Sequence, residues 1–106
     1  MRLYHNPRCS KSRQAKSLLL ERGVEFEDYR YIDNGVHPDD VELLSTIEGI
    51  IRVSDLDSET IIDFGDTKAV AELISANSRI LQRPILISNG IAVIGRPPES
   101  ILTLLP

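Results

Sequence analysis

The sequence contains one cysteine, Cys9, so no disulfide can form within the chain. That excludes the stapled scaffold of small secreted domains and leaves a free thiol to be explained. Long apolar runs are also missing, since Ile85 to Ile87 and Ile91 to Ile94 fall far short of the roughly 18 residues that span a bilayer. Met1 leads into a strand-like stretch without a signal-peptide pattern, and the cytoplasm is the expected compartment. There is no basic excess: the formal net charge is −4, which argues against binding to nucleic acid or a membrane surface through a broad basic field. No repeat, linker or low-complexity segment is present, and a metal site built from His5, Cys9 and His37 is the weakest reading because no set of ligands has recognisable spacing, so no metal is expected.

What remains is an ordinary soluble composition, with 42% apolar and 26% charged residues in 106, and one domain over 1–106 is expected. Leu3-Tyr4-His5 reads as a short strand ended by Asn6-Pro7. Ser10 to Arg22 repeats Ala15, Leu18 and Leu19 at helical spacing, with Gly23 placed to close the helix. Val24 to Tyr31 reads as a second strand. Pro38 then opens a helix expected to run to about Glu48 and to end at Gly49. Asp55 to Phe64 is ambiguous, with a short helix capped by Asp57 or Ser58 as one reading, and Asp66 caps a clearer helix through Val70, Leu73 and Ile74.

Asn89-Gly90 between Ile85 to Ser88 and Ile91 to Ile94 predicts a β-hairpin, because a type I′ turn needs positive φ at both central residues. The continuous aliphatic character of its strands suggests a sheet covered on both faces. A last helix begins near Pro98-Glu99 and packs through Ile101, Leu102, Leu104 and Leu105. This order, β-α-β, a helical stretch, then β-β-α, predicts an α/β thioredoxin-like fold: a mixed four-stranded sheet flanked by helices, with a helical insertion between its halves.

In that layout Cys9 lies where the first strand hands over to the first helix. Unpaired N–H groups and the helix dipole favour an anion there, and Arg8, Lys11 and Arg13 add positive charge. Such surroundings lower a thiol pKa and make the sulfur a nucleophile; the competing reading is a buried inert cysteine. A cysteine phosphatase loop would carry Arg six residues after the nucleophile, where this chain has Ala15. Ser12 stands where a Cys-x-x-Cys pair would have its second thiol, so any adduct on Cys9 must be resolved by an outside thiol.

Counting from the hairpin turn, Arg83 and Arg96 are equidistant from its centre and face one another at the open end. Like charges opposed across a strand pair are unfavourable unless an anion lies between them; the alternative is two solvated arginines splayed apart. Both precede proline, and Pro84 is a candidate cis residue.

The block His5-Asn6-Pro7-Arg8-Cys9-Ser10-Lys11-Ser12-Arg13, with Arg83-Pro84-Ile85 and Gly95-Arg96-Pro97, resembles the glutaredoxin-coupled arsenate reductases over the first and last thirty residues. The resemblance implies that Cys9 attacks arsenate to give a thiol-arsenate ester, with Arg83, Arg96, His5, Ser12 and Arg8 as candidate substrate-binding residues. His5 would tune the thiolate, the alternative being a strand-end polar residue. No cofactor is implied; glutathione would be the reducing co-substrate and glutaredoxin the recycling partner. His37 reads as loop.

The family's third arginine would fall in the middle region, where this chain has Asp57 after Leu56, with Arg52 near enough in sequence to substitute. Asp57 keeps open a glutathione-dependent thiol oxidoreductase of another substrate. A non-catalytic redox regulator that binds a partner protein is the third reading. Ser12 counts against it, because the regulatory branch of this fold resembles a Cys-x-x-Cys switch.

Overall fold

A computed structural model describes residues 1–105, which form two compact units: residues 1–30 with the chain from Arg83 onward, and residues 31–82.

The first unit holds the whole sheet. Its elements are β1 (Arg2–Tyr4), α1 (Ser10–Glu21), β2 (Glu27–Tyr29), β3 (Ile85–Ser88), β4 (Ile91–Ile94) and a 3-10 helix, Pro98–Leu104. The strand order is β2-β1-β3-β4, with β1 parallel to β2 and the other pairs antiparallel. A parallel pair needs a crossover, which α1 supplies, and an antiparallel pair can close through two residues. This is the expected mixed thioredoxin-like sheet.

Leu3 and Leu86 are register partners and face α1, burying themselves with Ala15, Leu19 and Ile101. Each of the leucines and Ile101 contributes about 1.5–3 kcal/mol by leaving water. Ala15 and Leu19 are one helical turn apart, so the amphipathic period of α1 builds this core directly. The alternate residues Tyr4, Ile85 and Ile87 are also buried, which explains why β3 has no polar face.

The turns follow their sequence signals. Asn89 (φ 51°) and Gly90 (φ 76°) are both left-handed, and the register pairs Ser88 with Ile91. At the end of α1, Gly23 (φ 65°) donates to Leu20 O and Val24 to Leu19 O, the paired bonds of a Schellman closure.

In the first unit three expectations are corrected. The second strand spans three residues rather than Val24 to Tyr31, because its one partner, β1, offers three. The last helix is 3-10, since Ile101/Leu104 and Leu102/Leu105 satisfy a three-residue repeat as well as an α-helical one. β4 is an edge strand on which Ile91 is 55% exposed, so coverage on both faces holds for β3 and not for β4.

The second unit is the helical insertion: α2 (Tyr31–Asn34), α3 (Val41–Ser45) and α4 (Thr67–Ala76), with 3-10 turns at Pro38–Asp40, Val53–Asp55 and Ser78–Ile80. Leu44, Ile50, Val70, Ile74, Ile80 and Leu81 are buried in it. Asp66 caps α4 as expected, its Oδ1 accepting from Lys68 N and Ala69 N. The helix expected over Pro38 to Glu48 divides into a 3-10 turn and α3. It stops at Ser45, where the hydroxyls of Ser45 and Thr46 donate back to the carbonyls of Glu42 and Leu43. No helix forms at Asp57 or Ser58: Asp57 Oδ1 accepts from Glu59 N in a local turn that does not propagate.

Candidate active site

Local chemistry sets where α1 begins. Pro7 cannot extend the strand, Asn6 Oδ1 accepts the Arg8 N–H at 3.0 Å, and Asn6 O accepts the Cys9 N–H at 3.0 Å. This tight loop delivers Cys9 to the N-cap with extended dihedrals (φ −95°, ψ 122°), and its carbonyl takes the first helical bond, from Arg13 N. A thiol thus occupies the place where Ser, Thr, Asp or Asn usually satisfies orphan N–H groups. It makes no side-chain capping bond, yet the N–H groups of Ser12 and Lys11 lie close enough to favour its anion. Partial burial pushes the thiol pKa up. The Ser12 N–H, the Arg83 side chain, the Lys11 N–H and the Arg83 charge together outweigh that and hold it below the ordinary value.

The arginines arrive from the hairpin. One step beyond the named strands, Gly95 N donates to Pro84 O at 2.8 Å, so the ladder continues toward the open end. Arg96 Nε then donates to Arg83 O at 2.9 Å, and Arg96 Nη2 lies 3.9 Å from Cys9 Sγ. Arg83 is half-buried and Arg96 exposed, and the Arg83-Pro84 and Arg96-Pro97 peptide bonds are both cis. Two guanidinium groups and one helix N-terminus therefore converge on one sulfur, an arrangement suited to a bound oxyanion.

The close approach depends on Gly95. A Cβ there would stand 2.6 Å from Pro84 Cγ and 3.2 Å from Ile101 Cγ2, so any larger residue would push the two arginine-bearing segments apart. The sequence offered Gly95 only as part of a motif; its steric role needed the structure.

Among the remaining candidates, Ser12 is fully buried, and its hydroxyl is occupied. Ser12 Oγ lies 2.7 Å from His5 Nδ1 and accepts the Asn6 N–H at 2.9 Å, tying both ends of the loop that carries Cys9. Ser12 faces Cys9 through its backbone N–H. His5 is 3% exposed and its pKa is lowered chiefly by burial; Asp28 opposes this, while Arg30, Lys16 and Arg13 reinforce it. Behind it, Asp28 accepts from Lys16 at 2.9 Å and from Arg30 at 2.8 and 3.0 Å, which holds its carboxyl well below the usual range. The exposed Arg8 contributes its N–H to the loop. The exposed Arg13 anchors the loop from outside, donating from Nη1 to Pro7 O at 2.8 Å.

The structure thus joins Cys9, Arg83, Arg96 and the Ser12 N–H at one point and links His5 to them through the Ser12 hydroxyl. In the second unit, Arg52 lies 3.7 Å from Asp55, and His37 Nδ1 accepts from Asp39 N to cap the Pro38–Asp40 turn. No metal-ligand cluster occurs among the described residues, and no helix there is long and apolar enough to cross a membrane.

Residues 4–104 match the profile of the ArsC family. The chain belongs to that family. It is 38% identical to an arsenate reductase of Neisseria meningitidis serogroup A, over 99% of this chain and 97% of that protein. It is 34% identical to the uncharacterized protein YfgD of Escherichia coli K12, over 98% and 95%. An arsenate reductase structure from Vibrio cholerae superposes with a TM-score of 0.80 at 26% identity, covering 99% of this chain and 98% of that one. Within the ArsC family, the thiol at the N-cap of α1 and the two hairpin arginines form this chain's candidate active site.

Proposed function

We propose that the chain is a glutathione- and glutaredoxin-dependent arsenate reductase working in the cytoplasm, where thiols are kept reduced. The observation that carries this reading is the convergence of Arg96, 3.9 Å from Cys9 Sγ, and Arg83 on a thiol whose pKa is lowered at a helix N-terminus. Arsenate is a tetrahedral dianion near neutral pH. It docks against the two guanidinium groups and the first-turn N–H groups, which draw charge from its oxygens and expose As(V) to attack.

The Cys9 thiolate forms the S–As bond while one arsenate oxygen, once protonated, leaves as water. A glutathione thiolate then attacks Cys9 Sγ: the S–As bond breaks with its electron pair left on arsenic, arsenite departs as As(III), and a Cys9-glutathione disulfide forms, which a second glutathione thiol resolves to glutathione disulfide. Cys9 has no partner cysteine, so glutaredoxin catalyses that resolution. Ser12 and His5 act behind the sulfur, fixing the loop so that the N-cap geometry exists before substrate arrives.

The test is steady-state turnover of arsenate by the purified protein with glutathione, a glutaredoxin and its reducing system. Arsenate-dependent consumption of reductant that disappears in Cys9→Ser supports the reading; none in the wild type overturns it. One residue favours a second reading. Asp57 stands where the resemblance calls for a third arginine, and with it the same thiol and glutathione chemistry would serve a different oxidised substrate. Reduction of a mixed disulfide or another oxyanion in the absence of arsenate turnover would select it.

A further inference from the structure

A lone thiol leaves open where the reductant binds, and the first unit contains a second feature beside it. An open cleft of about 450 Å³ starts at Ser10, one residue after Cys9, and runs along the exposed stripe of α1 through Arg13, Gln14, Ser17 and Glu21. Its opposite wall includes Glu99, from the 3-10 helix packed against α1. Its lining carries one guanidinium, Arg13 on α1, and two carboxylates, Glu21 near the end of α1 and Glu99 on the 3-10 helix. Arg13 is steadied by the bond from Nη1 to Pro7 O, which leaves its remaining donors for a ligand.

We propose that this cleft binds the low-molecular-weight thiol, a zwitterionic peptide of the glutathione type, with its carboxylate on Arg13 and its ammonium on Glu99. The proposal rests on the reading of Cys9 as a nucleophile resolved by an outside thiol. Reach sets the limits of the site. Helical rise puts Arg13 and Gln14 roughly 6–8 Å along the axis from Cys9 and Glu21 roughly 18 Å away. An extended tripeptide spans roughly 10–12 Å, about half of it on either side of its sulfur. Arg13 and Gln14 are therefore within range, and Glu21 is not.

The experiment uses thiol-disulfide exchange, which needs no arsenate. The Cys9 thiolate attacks one sulfur of glutathione disulfide; the S–S bond breaks, a Cys9-glutathione disulfide forms, and glutathione thiolate leaves to take a proton from water. The rate is followed by mass spectrometry in the full chain and divided by the rate with hydroxyethyl disulfide, which carries no charge for the cleft to read.

In the wild type the glutathione disulfide rate saturates with concentration. Glu99→Gln lowers the ratio about two- to fivefold, the worth of an ion pair in an open cleft. Glu99→Lys lowers it further, and Glu21→Lys leaves it unchanged. The sign is diagnostic: glutathione disulfide is a dianion, so simple attraction to a more positive protein would make Glu99→Lys faster.

A ratio that rises or stays level in Glu99→Lys overturns the proposal, as does an equal fall in Glu21→Lys. Either result with arsenate turnover intact removes the cleft and spares the catalytic reading. Absent turnover with the expected ratios does the reverse, and a Cys9 inert to both disulfides contradicts both.

Discussion

Gly95→Ala tests how the arginine pair is held together. The added methyl would sit 2.6 Å from Pro84 Cγ, 3.3 Å from Pro84 Cδ and 3.2 Å from Ile101 Cγ2. Pro84 is a rigid ring that is itself fully buried, and Ile101 is 0% exposed in the core, so neither neighbour can yield by rotating into solvent. The Gly95 N to Pro84 O bond at 2.8 Å pins the two strands at the same place. Overpacking of this kind costs about 1–3 kcal/mol. The backbone of Gly95 is not left-handed, so alanine can adopt it, and restriction of the unfolded chain returns about 0.4–1 kcal/mol.

The net expectation is a loss of about 1–2 kcal/mol, which moves the urea midpoint of a domain this size down by about 1–2 M at unchanged slope. Sulfate affinity, read by protection of Cys9 from alkylation, should fall with it, because Arg83 and Arg96 flank the spot that must give. A variant as stable as the wild type, with the same sulfate protection, would refute the claim that close packing at Gly95 sets the arginine geometry.

Arg83→Ala and Arg96→Ala should each weaken sulfate or arsenate binding by about 1.5–3 kcal/mol. The double mutant should lose less than the sum, since Arg96 Nε also holds Arg83 O, and simple additivity in an anion titration would mean independent charges. Ser12→Ala leaves the Asn6 N–H and His5 Nδ1 without their shared partner, so chemical denaturation should show a loss of about 1–3 kcal/mol together with slower Cys9 alkylation. Asp28→Asn removes a carboxylate held below its ordinary pKa by Arg30, against the opposing effect of burial, and then by Lys16. A depressed carboxyl stabilises the fold above its unfolded value near 3.9 and loses that contribution as pH falls. The variant should therefore be about 1 kcal/mol less stable at pH 7, a figure discounted for solvent exposure, and the gap should close in urea melts below about pH 3.

Much of this is legible in the sequence itself. Asn89-Gly90 fixed the hairpin register by backbone chemistry alone, and the register set Arg83 opposite Arg96. Asn6-Pro7 followed by Ser10 to Arg22 placed Cys9 at a helix start. The middle third was harder, because local side-chain bonds from Asp57, Asp63, Ser45 and Thr46 compete with helix propagation, and periodicity does not register them. The last helix misled because its apolar spacing suits two helical periods. The Ser12 hydroxyl joins His5 and Asn6 across seven and six residues, and the Arg96 bond to Arg83 O depends on how the strand ends bend past the ladder. Neither leaves a spacing signature.

The central claim is that the N-terminus of α1 and Arg83 make Cys9 a thiolate nucleophile. The most direct measurement is the rate of Cys9 alkylation against pH in the wild type and in Arg83→Ala. The wild-type midpoint should fall below the ordinary thiol value of about 8.5, and Arg83→Ala should move it upward. A wild-type midpoint at or above that value, or one that Arg83→Ala leaves in place, would contradict the account.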